Sequence, residues 1–248
     1  MATFDPWAQL KVLDLQAEDS AIDQLRNRLR KLPEADTVTV LRNEQASLKL
    51  REIAGITEVA DRELDVRKAE NDVDAVRVRA TKDQEMLDSG RVSDAKALTE
   101  LQHEVESLAR RQGDLEDAEI EIMQQLEDAQ KSLAGVRVAL ASVNEKLVTA
   151  ENALTVATAE IEARIVAHTS NRTEIAGGIP ADLLKLYEKL RADNGGIGAA
   201  KLHQKRCDGC RIQLNPVALQ AARAAADNEL LRCEECRAIL VRTLDSGL

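Results

Sequence analysis

The chain has 248 residues, of which 31% are charged and 1% aromatic, with one Trp, one Tyr and one Phe. So few rings exclude a single large globular core, and an apolar content of mostly Ala, Leu and Val is that of long helices or coiled coils. The net charge of −10 is uneven: residues 1–197 carry −12 and residues 198–248 carry +2, so the first part is unsuited to lie along nucleic acid.

In chain order, Asp5-Pro6 reads as a helix start, with Asp as the cap and Pro at the first helical position. Leu15, Ile22, Leu25, Leu29 and Leu32 keep a helical stripe until Pro33, and residues 32–36 read as a kink or short link. A second helix over about 37–87 has a poorer pattern. Leu41, Leu48, Ile53, Ile56, Leu64, Val73, Val76 and Leu87 hold no single register, and a stutter is expected between Leu48 and Val73. Residues 88–94 form a tight reversal in which Gly90 ends one helix and Ser93 caps the next.

The third helix is the most periodic. Alternating steps of three and four from Leu98 to His168 meet 21 positions, of which 17 are apolar. Such a repeat calls for a partner helix and a left-handed supercoil. Gly113 and Gly135 fall off the seam. The helices before and after the reversal are of similar length, which favours an antiparallel hairpin on the order of 120 Å long over a parallel homodimer of continuous rods. Pairing is expected where residue numbers sum to 181, placing Phe4 and Trp7 near residue 174. Residues 171–178 end the arm, and Pro180 starts a short helix containing Tyr187, so the three aromatics are expected as the small core joining arm to tail. An aromatic binding patch is the other reading of them.

The tail holds all four cysteines, as Cys207-Asp208-Gly209-Cys210 and Cys233-Glu234-Glu235-Cys236. Two C-x-x-C pairs can present four thiolates to one tetrahedral ion with no open position. Residues 199–203 lead into the first knuckle and 211–214 return from it, Asn215-Pro216 starts a helix, 230–231 enter the second knuckle, and 238–241 leave it. A tail of this size and composition cannot fold on apolar burial alone, so one structural Zn2+ is expected to stabilise it. Tetrahedral iron and two separate redox dithiols are the alternatives. No run approaches 18 apolar residues and the first residues lack a signal-peptide pattern, so a cytoplasmic setting, with reduced thiols and no membrane contact, is expected.

Lys201, Lys205, Arg206, Arg211, Arg232 and Arg237 surround the cysteines in sequence. They read either as a contact surface for phosphate or a partner, or as groups that offset thiolate charge. No aromatic is interleaved to stack bases. His203 reads as a surface strand residue, and His103 and His168 as structural or solvated positions of the coiled coil. No Ser-His-Asp context, P-loop or dinucleotide fingerprint is present, so no catalytic residue and no small-molecule substrate are expected.

Several stretches together resemble a family of bacterial proteins with a coiled-coil hairpin and a C-terminal C4-type zinc ribbon. They are Leu98 to Leu108 with Arg110-Arg111 and Leu115-Glu116-Asp117; Ile179-Pro180 with Leu183-Leu184 and Tyr187-Glu188; and Cys207-Asp208-Gly209-Cys210 through Cys233-Glu234-Glu235-Cys236 to Leu240. The likeness covers nearly the whole chain. Family members in flagellated or type III secreting bacteria look like adaptors that bind an alternative sigma factor, secretion components or a transcript. The resemblance implies an adaptor or chaperone role here. Arg237 stands where a glycine is usual in that family and Val241 where an aromatic is usual, which argues against base stacking by this ribbon.

The expected fold is mainly α: a long antiparallel coiled-coil hairpin over 1–178, with helices at about 5–32, 37–87 and 94–173, then a short helix and linker over 179–197, then a small β-rich C4 zinc ribbon over 198–248. The expected function is that of a non-enzymatic adaptor binding protein partners through hairpin and ribbon, with a surface at the tip around 88–111. The alternative is a nucleic-acid-binding zinc ribbon on a coiled-coil spacer.

Overall fold

The computed structural model describes residues 3–248; Met1 and Ala2, the first positions of the expected hairpin, lie outside them. The elements run α1 (Pro6–Leu29), α2 (Pro33–Asp88), α3 (Ala95–Gly177), α4 (Ala181–Asp193), β1 (Ala199–His203), β2 (Arg206–Cys207), α5 (Pro216–Ala224), β3 (Leu231–Arg232) and β4 (Ile239–Val241). This is a long helical hairpin followed by a small strand-containing ribbon. Among the described residues no helix is long and apolar enough to cross a membrane.

The helix boundaries follow local chemistry. The Asp5 carboxylate accepts the Trp7 N–H at 2.7 Å, with Pro6 at the first helical position. Pro33 is not in a link; it is the first residue of α2, where its missing N–H costs nothing. At the reversal Gly90 has φ +64°, a left-handed conformation that disfavours a side chain. The cap of α3 is Asp94 rather than Ser93: its carboxylate accepts the Ala97 N–H at 3.0 Å.

The chain divides into two compact units. The arm is Thr37–Glu151; the base comprises the described residues up to Asp36 with Asn152–Leu248. In the arm, alternating steps of three and four from Val38 to Leu87 meet only buried or half-buried positions of α2. The expected stutter is therefore absent. The inner row is irregular in chemistry and regular in register: Gln45, Glu52, Gly55, Arg62 and Asp83 occupy it, while Ile53, Ile56 and Leu64 are exposed on other faces. On α3 the series from Leu98 is buried or half-buried throughout the arm.

Leu133 packs over Gly55, where a Cβ would come within 3.2 Å of Leu133 Cδ1. Gln45 bonds Asn144 at 2.6 Å, and Arg137 donates to Glu52 at 3.2 Å. These partners' numbers sum to 188 or 189, about two helical turns from the 181 reckoned from the middle of the reversal. Ion pairs of the arm range more widely, from 183 for Arg79 with Glu104 to 193 for Arg42 with Glu151, because long side chains bridge about a turn either way.

In the base, the α3 row continues to Ile161 and then passes to Ile165, leaving Arg164 exposed. Leu25, Leu32 and Ile161 form one cluster there. A larger core joins Ala8, Val12 and Leu15 of α1 to Leu183, Tyr187 and Leu190 of α4 and to Ala199, Ile239 and Val241 of the strands. The sheet order is β2-β1-β4-β3, with β1 parallel to β4 and the outer pairs antiparallel. Gly198 enters β1 so close to Tyr187 that an added Cβ would meet its ring and carbonyl at 2.7 Å. Phe4 packs against the large core, as expected, but Trp7 is 64% exposed and stands outside it. Its indole lies under the Lys11 ammonium, 4.3 Å from the ring centre, on the solvent side of α1.

One carboxylate sits inside this base. Asp19 occupies an apolar-stripe position of α1 and is 3% exposed. Tyr187 donates to its Oδ2 at 2.8 Å, Arg172 donates to its Oδ1 at 2.7 Å, and Arg191 Nε stands 3.4 Å away. Arg172 also reaches Glu188, and Arg191 reaches Asp23 at 2.5 Å. The buried charge is thereby paired from two helices. Burial pushes the Tyr187 phenol well above its ordinary range, with the Asp19 hydrogen bond adding to it. Asp19 is likewise the main cause of the upward shift of Arg172.

Candidate metal centre

Both knuckles are built to one plan. Cys207 ends β2, and Cys233 follows β3. The Cys207 N–H donates to the Ile212 carbonyl at 3.0 Å, and the Cys233 N–H to the Ala238 carbonyl at 3.0 Å. Arg211 N–H returns to the Cys207 carbonyl at 2.7 Å, as Arg237 N–H does to Cys233 at 2.9 Å. Each turn closes through a left-handed residue, Arg211 at φ +61° and Arg237 at φ +60°. The arginine before each knuckle clamps the turn: Arg206 donates to the Arg211 carbonyl at 2.9 Å and Arg232 to the Arg237 carbonyl at 3.1 Å. The expected returning strand over 211–214 is reduced to one bridge, Arg206 with Gln213.

The turns aim four sulfurs at one point. All four Sγ atoms lie within 4.8 Å of one another, with Cys207–Cys236 at 3.9 Å and Cys210–Cys233 at 3.8 Å. A tetrahedron with zinc–sulfur bonds of about 2.3 Å has edges of about 3.8 Å, so the donor set fits one zinc ion. Backbone N–H groups point at the sulfurs as well. The Ile212 N–H serves Cys210 and the Ala238 N–H serves Cys236, again at matching positions. Burial pushes the Cys207 and Cys236 thiols up. At Cys210 burial also acts upward, but the Ile212 N–H and the neighbouring thiols outweigh it and the net shift is downward. Ala200, Leu202, Ala238 and Leu240 pack around Cys207 and Cys233, so the centre is also the middle of a small apolar cluster.

The six basic residues are placed as follows. Lys201 pairs with Asp245 at 2.5 Å. Lys205 is exposed at φ +65°. Arg206, Arg211, Arg232 and Arg237 are exposed beside the knuckles, two of them engaged in the clamps just described. His203 stands 3.8 Å from Asp208 on the surface, His103 is exposed on α3, and His168 bonds Glu18 at 2.7 Å.

Three residues that hold the centre in place escaped sequence reasoning. The Gln16 carbonyl oxygen accepts the Gly198 and Ala199 N–H groups at 2.7 and 3.1 Å, and its amide donates to the Gly196 carbonyl at 2.9 Å, which ties the start of β1 to α1. Arg242 donates to the carbonyls of Ala222, Ala225 and Ala226 at the end of α5. Asp19 anchors α4. For Gln16 and Asp19 a signal existed: polar groups on the same face as Val12, Leu15 and Ile22.

Fold and site together define a coiled-coil hairpin protein with a C4 zinc ribbon. Residues 15–195 match the CT398-like coiled coil hairpin domain, and 206–240 match the C4-type zinc ribbon domain. The chain belongs to the CT398-like coiled-coil hairpin family, and its ribbon holds one structural Zn2+ on Cys207, Cys210, Cys233 and Cys236. Neither match is to a domain catalytic in kind. An uncharacterized protein of Mycobacterium tuberculosis is 36% identical over 94% of this chain and 95% of its own. One of Mycobacterium leprae is 30% identical over 92% and 97%. A solved structure from Mycobacterium smegmatis is 30% identical, covers 97% of this chain and 100% of its own, and has a TM-score of 0.84. The HP0958 protein of Helicobacter pylori, at 14% identity and a TM-score of 0.50 over 98% and 99%, shares the fold.

Proposed function

We propose that the protein is a non-enzymatic, cytosolic adaptor that binds protein partners through a surface formed jointly by hairpin and ribbon. The observation that carries this reading is exposed apolar surface at the base. Trp7 is 64% exposed on α1, and Leu244, after β4, is fully exposed. Two grooves meet at Leu10. One, of about 540 Å³, runs between Leu10 and Arg242, Thr243, Leu244 and Asp245; the other, of about 390 Å³, is lined by Trp7, Lys11, Asp14, Glu174 and Ile175. Exposed tryptophan beside an apolar groove is the composition of an interface anchor. A partner seated there touches α1, α3 and the ribbon at once. Four thiolates leave zinc no open position for substrate, which supports a structural metal.

The test is affinity capture with full-length, zinc-loaded protein, with and without nuclease, against a Trp7→Ala/Leu244→Asp variant of unchanged helicity. Loss of nuclease-resistant partners in the variant supports the reading; unchanged capture sinks it. Exposed arginines beside both knuckles favour a second reading, a ribbon that contacts nucleic acid phosphates. That reading requires RNA or DNA binding that falls steeply with salt and is lost in Lys205→Glu/Arg206→Glu.

A further inference from the structure

Both knuckles repeat a connection that runs from an arginine, through one peptide group, to a cysteine. Arg206 donates through Nη2 to the Arg211 carbonyl at 2.9 Å, and the Ile212 N–H donates to the Cys210 sulfur. Arg232 donates through Nε to the Arg237 carbonyl at 3.1 Å, and the Ala238 N–H donates to the Cys236 sulfur. In each case carbonyl and N–H belong to the same peptide group, 211–212 in the first knuckle and 237–238 in the second. A trans peptide is planar, and its carbonyl and N–H point in opposite directions. A donor that fixes the carbonyl therefore also fixes the direction of the N–H on the far side.

The charges run with the peptide dipole, which has its negative end at the oxygen. A guanidinium stands at that oxygen and a metal-binding thiolate at the hydrogen. Hydrogen bonds in series polarise one another, and a bond from a cation is stronger than a neutral one. Neither Arg206 nor Arg232 has an ion pair among the described residues, so no carboxylate draws its charge away.

The two sulfurs served in this way are the accessible ones. Cys210 and Cys236 are half-buried, whereas Cys207 and Cys233 are buried. Cys207 is served inside its own turn, by the N–H groups of Gly209 and Cys210. Water, protons and chelators therefore reach the centre first at Cys210 and Cys236, where the arginine-held peptide is the donor.

We propose that Arg206 and Arg232 are positioning residues of the zinc centre, each holding the peptide that steadies the accessible thiolate of its own knuckle and so slowing loss of the metal. This differs from a general offset of thiolate charge. Arg211 and Arg237 are as close to the cysteines in sequence, yet their side chains make no hydrogen bond among the described residues. Nothing in this role depends on the base surface proposed above.

Zinc transfer from the full-length protein to a chromophoric chelator tests it. Arg206→Met and Arg232→Met should each speed release by about tenfold, the lower end of what partners of metal ligands contribute. Arg206→Lys and Arg232→Lys keep the charge and a donor and should restore slow release. Arg211→Met removes an equal charge without a clamp and should release zinc as the unsubstituted protein does. The amide protons of Ile212 and Ala238 in zinc-loaded protein separate a local role from general loosening. Arg206→Met should move Ile212 upfield and leave Ala238 in place, and Arg232→Met should do the reverse. Unchanged release in both Met variants overturns the proposal, as does equal acceleration by Arg211→Met or a joint shift of both amides in either variant. If Arg206→Met holds no zinc, Arg206→Lys decides: retained zinc supports the role, and equal loss overturns it.

Discussion

The base and the arm are made from the same helices by different means. In the base, α1 and α4 pack together on one face of the ribbon strands, and Val12, Leu15, Leu183, Tyr187 and Ile239 lose all contact with water. Its order depends on particular bonds: Gln16 on the start of β1, Asp19 under Tyr187, four cysteines around one ion. In the arm, two helices share one seam, where Val38, Leu48, Val73, Leu133 and Val143 are buried and most other positions are half exposed. The base should therefore fail at points, and the arm should lose stability in small increments along its length.

The largest effect should come from the metal. Chelation, or Cys233→Ser, removes stabilisation on the order of 10 kcal/mol from a ribbon with little other core. Because β1 and β4 floor the core under α1 and α4, hydrogen exchange should rise at 183–190 and 199–241 together. The protection of 38–87 and 98–150 should hardly change. Equal loss in both units would show that the arm depends on the ribbon and break the comparison.

Next in size is Asp19→Ala. It leaves Arg172 and Arg191 partly buried without their shared carboxylate and frees the Tyr187 hydroxyl, a loss of about 3–5 kcal/mol in denaturant unfolding of the base. A loss under about 1 kcal/mol would mean that the arginines relax into water and the network carries little of the stability.

A smaller effect belongs to the Tyr187 hydroxyl. Removing it in Tyr187→Phe costs about 1–3 kcal/mol at neutral pH, since its bond is to a charged acceptor. The folded-state pKa of Tyr187 is raised above the ordinary 10.0. The unfolded chain therefore gives up this proton first as pH rises. The stabilisation is fully present below about pH 10 and is lost above it. Tyr187 is the only tyrosine, so phenolate absorbance reports it directly. The base should unfold in step with phenolate formation, and Tyr187→Phe should flatten the alkaline loss. Phenolate appearing near pH 10 in still-folded protein would contradict the burial.

The same contrast decided what could be read in advance. The α3 row was legible because coiled-coil packing needs only apolar groups at a fixed period, and the two cysteine pairs because tetrahedral thiolate chemistry fixes residue type and spacing. The α2 row was not, because Gln45, Glu52 and Arg62 fill inner positions while Leu50, Ile53 and Leu64 lie outside. Summed over both faces, the apolar positions looked like one row with a stutter. The Gln16 and Asp19 anchors were hidden for another reason. Their partners are more than 150 residues away in the chain, and a local pattern can mark such a residue as misplaced without naming what receives it.

The smallest effect is the sharpest control on the comparison. Arg137 and Glu52 form the arm's counterpart of the Asp19 pairs: a cross-helix ion pair, with the carboxylate at an inner-row position, at 3.2 Å. Chemistry and distance resemble those of Arg172 and Asp19. Exposure does not, since the Arg137 side chain is 56% exposed and Glu52 27%, against 24% for Arg172 and 4% for Asp19. Water screens the first pair and competes for its donors, so Glu52→Ala should cost about 0.2–1 kcal/mol and less as salt is added. Asp19→Ala should keep its larger cost in the same salt. If the two substitutions prove equal, burial is not what separates base from arm, and the distinction must rest on the metal alone.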